Sequence, residues 1–372
     1  MASDKIKIAI VSGATKKGDS VRGIGAHNSN LFDTLKNNRT QGVSLPELEL
    51  NDDLSKFDVV HFTSFRPFFI SLPFTKPENT KFVLTIHDLI PLIYPKHYPS
   101  GIKGGIKFLI NKILIKMYVD RIITISETSK KDICRFLNVS PAIVDVVYIA
   151  PKKVMKKLEK GNWEKEIKTK YKLPEKFVLF DHGVNYNKNV STLIKACKIA
   201  KYRLVIIGKH AAELEEQVKN YGKISGPQDL IRSFFKIPHP QNAHFKKLLG
   251  ELNDSDVIRP GFVSDEDLNK IFNLASIYVQ PSFYEGFGMP PLEAMVVGCP
   301  VISSRTQALV EVCGDACIYF DPKNAEELAE KITELNGNSK LRQEFIKKGH
   351  EQVKKYIWEK TMEETLDVYA KA

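Results

Sequence analysis

Glu285 and Glu293 stand eight positions apart in the stretch PSFYEGFGMPPLEAM, residues 281–295. Two carboxylates so placed could form an acid/base pair of the glycosidase kind, supply two acceptors for hydroxyl groups, or be ordinary residues around a helix start. The run GFGMPP ahead of LEAMVV reads as a helix N-terminus, because proline is tolerated in the first turn, and the following GCP closes the helix. Glu285 then falls on the loop and Glu293 in the first helical turns. The two need not point at one atom, which argues against the acid/base pair. Gly286 and Gly288 remove side chains from the backbone entering the helix. Free N–H groups and the positive end of the helix dipole favour a phosphate or other oxyanion there. Two acceptors flanking an anion site suit hydroxyls, one carboxylate for a sugar and the other for a ribose. The plain alternative for Glu293 is a carboxylate favourably placed near a helix start.

Two other glycine patterns are weaker. GATKKGDS, residues 13–20, begins like a P-loop, but Asp19 occupies the position of the phosphate-binding lysine. GIGAHN, residues 23–28, begins like a dinucleotide fingerprint, yet Asn28 replaces the third glycine and the motif lies well beyond the strand. ATP or GTP binding of the P-loop type and a nicotinamide dehydrogenase are disfavoured. Gly23 and Gly25 remain either a loop approached closely by a bulky ligand or a turn and helix start. His239 and His244 lie in an irregular stretch, residues 221–254, without nearby acids or cysteines in metal-ligand spacing. An inserted surface loop is the plainer account of that stretch, and no metal site is expected.

These residues need elements to position them. Short β-branched runs, each followed by a helical pattern, recur along the chain: KIKIAIVS, DVVHFTS, KFVLTIHD, DRIITIS and VDVVYIA, then KFVLFDHG, RLVIIG, SIYVQPS, PVISS and CIYFDP. Continuous apolar strands alternating with helices predict parallel sheets buried on both faces, an α/β doubly wound architecture. The two sets are separated by a lysine-rich stretch, residues 150–176, poor in strand formers. With 372 residues the chain is long for one core, so two domains are expected, with a boundary near 155–170. In such sheets ligands sit outside the carboxyl ends of the strands, which singles out Gly13, Ser64, His87, Ser126, Gly183, Gly208 and Pro281.

Composition narrows the partners. The formal charge is +11, with 20 Lys+Arg against 14 Asp+Glu through residue 150 and 35 against 30 thereafter. So diffuse an excess, without a basic-aromatic patch, does not fit nucleic acid. The exception is GIKGGIKFLINKILIKM, residues 101–117, an acid-free stretch whose lysines interleave with Ile, Phe and Leu at helical spacing. It reads as a core-facing helix with a solvated lysine face, or as a peripheral contact with an anionic membrane through residues 102–117. Five cysteines without a C-x-x-C pair suit a reduced, cytoplasmic chain. No apolar run of spanning length and no signal-peptide pattern is expected.

The stretch PSFYEGFGMPPLEAMVVGCPVISS resembles the E-x7-E motif of the retaining glycosyltransferases of family 4, which have the GT-B fold. RGIGAHNSNLFDTL, TIHDLIPLIYP, RIITISETSKKDI, LFDHGVNYNKNVSTLIKA, RPGFVSDEDLNKIFNLASIYVQPS, VEVCGDACIYFDP and YIWEKTMEETLDVY are similar to further segments of that family, in order and over nearly the whole chain. The resemblance implies two Rossmann-like domains facing across a cleft. They would be an acceptor-side domain over 1–160, a nucleotide-sugar domain over 161–350, and a terminal helix over 351–372 that crosses back. It implies that Glu293 holds the ribose, and that Glu285 with the Phe287 and Gly288 amides holds the donor sugar. His87 would contact the sugar near the reacting face, and Gly23 and Gly25 would line the diphosphate. Lys188 would neutralise the leaving pyrophosphate. Gly183, Asn189, Lys209 and Gly286 complete the donor-side set.

The same likeness implies metal-independent, front-side transfer with no cofactor, from GDP-mannose or a UDP- or other nucleotide-sugar to a glycan or lipid-linked acceptor. Mannose is favoured, with glucose or rhamnose behind it. A synthase acting on a soluble sugar and a basic binding protein without turnover are the alternatives. One departure stands out. Asn187 occupies a position where members commonly carry arginine, and Val184 a position where some carry another, so that either Lys209 or Arg259 replaces the missing cation or the donor is bound more weakly.

Overall fold

The computed structural model describes residues 6–11, 24–37, 47–49, 52–220 and 240–372. They divide into two units. The first comprises residues 1–95, 99–152 and 356–372, and the second residues 96–98 and 153–355. The P-loop-like run 13–20, Gly23 and His239 lie outside the described residues.

The first unit is built on six strands: β1 (Ile8–Val11), β2 (Glu47–Leu48), β3 (Val59–Phe62), β4 (Lys81–Thr85), β5 (Val119–Thr124) and β6 (Val144–Val146). Their order across the sheet is β2-β1-β3-β4-β5-β6, with every pairing parallel. Parallel strands need crossovers that cover both faces, so β1 and β3 are buried at every position. One crossover is the helix Glu127–Ile133, whose start is fixed by the Ser126 hydroxyl accepting from Ser129 N–H.

The helix Trp358–Lys371, at the end of the chain, closes one face of this sheet, with Val368 and Tyr369 packed on Ile8, Val59, Val83, Ile123 and Val147. Trp358 Nε1–H donates to the Pro151 carbonyl at 2.8 Å and Thr361 Oγ1–H to that of Tyr148 at 2.8 Å. At the centre of the face His61 is fully buried, with Nδ1 2.8 Å from Tyr369 Oη and Nε2 2.6 Å from Thr85 Oγ1.

The second unit repeats the plan with β7 (Val178–Asp181), β8 (Leu204–Ile207), β9 (Val257–Gly261), β10 (Ile277–Gln280), β11 (Val301–Ser304) and β12 (Ile318–Phe320). Their order is β12-β11-β10-β7-β8-β9, again all parallel. The lysine-rich stretch between the two strand sets contributes the helix Trp163–Tyr171 to this unit.

Ten strands are legible as apolar runs, and among the described residues two more form. β2 is only two residues long, and β9 is an edge strand interrupted by Arg259 and Pro260, so neither shows a continuous apolar signal. A second correction concerns residues 221–254. Where a surface loop is expected, Pro240–Leu252 is a helix, and Phe245, Leu248 and Leu252 along one side of it enter the core with Val178, Phe180 and Leu193. The spacing of those residues is helical, but flanking prolines mask it.

Candidate active site

In the second unit β10 lies beside β7 in parallel, with Ile277 opposite Val178 and Tyr278 opposite Leu179. The loops that leave their carboxyl ends, residues 182–189 and 281–288, are therefore neighbours although nearly a hundred positions separate them. This adjacency brings Lys188 to Glu285. Lys188 Nζ lies 2.8 Å from both carboxylate oxygens. The side chains are only 12% and 7% exposed, so the ion pair is largely withdrawn from water.

Further donors hold the carboxylate. Gln280 Nε2–H donates to Glu285 Oε1 at 2.8 Å, and Ser282 Oγ–H donates to the same oxygen at 2.6 Å. Gln280 also donates to Ser282 Oγ and accepts from Tyr278 Oη–H, each at 2.7 Å. Tyr278 is fully buried, and burial, with the nearby Asp181, Glu285 and Glu293 carboxylates, holds its phenol far above the ordinary range, so it remains a donor. The result is a relay from Tyr278 through Gln280 to Glu285. Neither Gln280 nor Ser282 is singled out by the sequence reading, although polar residues ending the apolar run SIYVQPS are the available signal.

Glu293 lies inside the helix Met289–Val296 and is buried. Gly288 caps that helix at φ +123°, a conformation open to glycine, and a Cβ there would meet Leu309 Cδ2 at 2.6 Å. Gly286 and Phe287 are buried before it. The expected array of free N–H groups is sparser than a generic helix start provides. Pro290 and Pro291 both lie in the first turn and carry no N–H, so the first turn offers fewer amide donors than the sequence reading expects.

The loop after β7, residues 182–189, is organised by asparagines. Asn187 is 3% exposed; its Oδ1 accepts from Tyr98 Oη–H at 2.7 Å, its Nδ2–H donates to the Tyr284 carbonyl at 3.1 Å, and its carbonyl accepts from Phe283 N–H at 2.8 Å. Asn187, where the sequence reading expects an arginine, thus knits the two loops together. Asn189, at φ 53°, starts the helix Val190–Ala200; its Nδ2 donates to the carbonyls of Pro281 and Pro322, and its Oδ1 accepts from Thr192 Oγ1–H. Its main chain is engaged as well, with N–H donating to the Tyr186 carbonyl at 3.1 Å and its own carbonyl accepting from Thr192 N–H at 3.2 Å, so both side chain and backbone are spent on the fold. His97 stacks on Tyr186, whose ring also meets Phe283 and His244. His244 Nε2–H donates to the Val184 carbonyl at 2.9 Å, and burial lowers its pKa.

The remaining donor-side residues are more loosely held. Gly183 follows β7, and a side chain there would make only ordinary contacts. Lys209 begins the short helix after β8; it is exposed, with Nζ 3.8 Å from Glu213. Arg259 is engaged by Glu215 Oε1 at 3.1 Å and by the Ala211 carbonyl at 3.0 Å. Among the described residues no group of three or more His, Cys, Asp or Glu side chains is arranged to hold a metal ion.

His87 and Gly25 belong to the first unit. Gly25 lies buried in the first turn of the helix Ile24–Asn37. His87 follows β4, and its carbonyl accepts from Ser129 Oγ–H at 2.9 Å, which ties it to the helix after β5. Burial lowers its pKa to about 4, so the imidazole is neutral at pH 7.

Two family profiles match the chain, one at each end. "Glycosyltransferase Family 4" covers residues 9–150 and "Glycosyl transferases group 1" covers 238–352, a span that includes Glu285, Glu293 and the loop between them. The chain belongs to the family 4 glycosyltransferases. It is 28% identical to the serotype-specific mannosyltransferase WbdA of Escherichia coli over 294 residues, 76% of this chain and 32% of that protein. It is 38% identical to an O-antigen chain mannosyltransferase B of Escherichia coli over 109 residues, 29% of each chain. The chain thus spans about a third of the length of those curated relatives. Among solved structures it superimposes on sucrose-phosphate synthase of Thermosynechococcus elongatus with a TM-score of 0.68, covering 98% of each chain at 18% identity, which establishes the GT-B fold.

Proposed function

We propose that this family 4 protein transfers a hexose, with mannose favoured, from a nucleotide-diphosphate sugar to a glycan or lipid-linked acceptor. The observation that carries the reading is the Lys188–Glu285 ion pair at the carboxyl ends of β7 and β10, beside the glycine-rich entry to the Met289–Val296 helix. A lysine ammonium is a mobile point charge. In the donor complex it swings toward the diphosphate and stabilises the charge that grows on the leaving group, a role worth about 10²-fold in rate. The Glu285 carboxylate, still held at Oε1 by Gln280 and Ser282, then accepts from hydroxyls of the sugar. Glu293 accepts from the ribose.

The proposed chemistry is front-side displacement with retention, in which the leaving phosphate takes the acceptor proton. His87 of the first unit, neutral at pH 7, would offer a sugar a hydrogen bond and no charge. Mannose is favoured because relatives on both long and short matched segments are mannosyltransferases.

A thermal-shift panel with GDP-, UDP-, ADP- and dTDP-sugars identifies the donor class, since a ligand that binds the folded state raises its melting temperature by mass action. Incubation of the stabilising donor with glycan and lipid-linked acceptors, with and without EDTA, then tests transfer, and NMR of the product tests retention. Stabilisation by no nucleotide-sugar, or binding without turnover on any acceptor, sinks the proposal in favour of a binding protein.

A further inference from the structure

The helix Gly101–Tyr118 in the first unit turns Gly104, Asn111, Leu114 and Ile115 inward. Its opposite side is not the solvated lysine face expected from sequence. Ile102, Ile106, Leu109, Ile113 and Met117 are each between 50% and 73% exposed. At about 100° per residue they fall on one arc of about 80°. Lys103 and Lys107 lie to one side of this stripe, and Lys112 and Lys116 to the other. Between Asp88 and Asp120 the chain contains no acidic residue.

The adjoining loop extends the same surface. Buried Asn111 donates from Nδ2 to the carbonyls of Pro67 and Phe69 at 3.2 and 2.6 Å and accepts from Ser71 N–H at 3.3 Å, clamping this loop on the helix. Phe69 is 58% exposed with Lys107 Nζ 5.5 Å from its ring centre, and Phe74 is held near the helix end by Tyr118 Oη–H donating to its carbonyl at 2.9 Å. Seven of the twelve large exposed apolar side chains among the described residues belong to this one surface, so their exposure is not scatter.

We propose that the Gly101–Tyr118 stripe with Phe69 and Phe74 docks this protein on the surface of an anionic phospholipid bilayer. The apolar arc enters the boundary between headgroups and acyl chains, and the flanking lysines meet lipid phosphates. Charge selects this occupant over a second copy of the chain. Two such stripes face to face would bring lysines against lysines with no carboxylate between them, whereas an anionic headgroup layer pairs with all four. The helix itself is not a membrane span, since none among the described residues is long and apolar enough to cross. The proposal does not depend on the transfer reaction, because docking requires no donor or acceptor.

The test is co-sedimentation of the full chain with vesicles of phosphatidylcholine alone and of phosphatidylcholine containing phosphatidylglycerol. Binding is expected to the anionic vesicles only and to weaken as salt is raised. The Ile106→Glu/Ile113→Glu variant should lower it on the order of 10²-fold. Replacement of Lys103, Lys107, Lys112 and Lys116 by Gln should lower it at least about 10-fold. All six positions are at the surface, and an unchanged circular dichroism spectrum and melting temperature show that the variants fold. No binding to either vesicle, equal binding to both, or binding unaffected by Ile106→Glu/Ile113→Glu overturns the proposal. So does a dimer, seen by light scattering, that the lysine replacements strengthen and the glutamates dissolve.

Discussion

Lys188 Nζ sits 2.8 Å from each carboxylate oxygen of Glu285, and the two residues come from loops following neighbouring strands of one parallel sheet. The sequence assigns them separate tasks, one on the leaving diphosphate and one on the donor sugar. The structure makes them one buried ion pair.

Their coupling sets the outcome of mutation. Glu285→Ala leaves a buried ammonium without its partner, so we expect loss of transfer together with a stability cost of about 3–5 kcal/mol. Lys188→Ala should lower transfer on the order of 10²-fold and destabilise similarly. In Lys188→Met/Glu285→Gln no unpaired charge remains, and most of the stability should return while activity stays lost. Denaturant unfolding and transfer rates measured on the same set decide this. Single variants as stable as the parent would show that the pair is not buried as described, and an active Glu285→Ala would remove that carboxylate from the reaction.

Asn187 offers a second test, because it occupies the position of a common family arginine. Arginine there would forfeit the bonds to Tyr98 and Tyr284 and place a guanidinium in a site that is 3% exposed. Asn187→Arg should therefore cost about 2–4 kcal/mol, from a buried charge and lost hydrogen bonds, and should not tighten donor binding. Tighter binding of the stabilising nucleotide-sugar at unchanged melting temperature would show that the loop accommodates the cation.

Gly288 carries a constraint no other residue type satisfies. Its φ of +123° strains any side chain, and an added Cβ lies 2.6 Å from Leu309 Cδ2. The leucine tip can move, but the backbone angle cannot change without re-aiming the helix entry. Gly288→Ala is expected to destabilise by about 1–3 kcal/mol and to weaken donor binding. A Gly288→Ala variant with parental melting temperature and donor affinity would contradict this geometry.

Acid should destabilise the first unit through His61. Burial, with a smaller contribution from the His87 charge, pushes its folded pKa to about 3, against roughly 6.5 in an unfolded chain. Between those values the unfolded state binds the extra proton. Stability from this residue is therefore complete above about pH 6.5 and falls as pH drops toward 3, by about 1.4 kcal/mol per pH unit. His87, at about 4, adds a slope of the same sign. Melting temperature followed from pH 7 to 4.5 should decline, and His61→Phe should decline less steeply from a lower start. Equal slopes would place the titration elsewhere.

Much of the architecture is written in short-range pattern. Continuous apolar strands alternating with helices specify two parallel sheets, because such strands are stable only when both faces are covered. The glycines and prolines of residues 286–291 specify a loop entering a helix, and so separate Glu285 from Glu293. Relations between distant positions follow from strand order, which sequence periodicity does not contain. The pairing of β10 with β7 makes Lys188 and Glu285 partners, recruits Gln280 and Ser282 to the carboxylate, and turns Asn187 from a missing cation into the link between two loops. The same limit applies to the helix Gly101–Tyr118. Its composition allows either face to be the buried one, since lysines and aliphatic residues alternate around it. Only the packing of Gly104, Asn111, Leu114 and Ile115 on their neighbours leaves the isoleucine stripe facing outward.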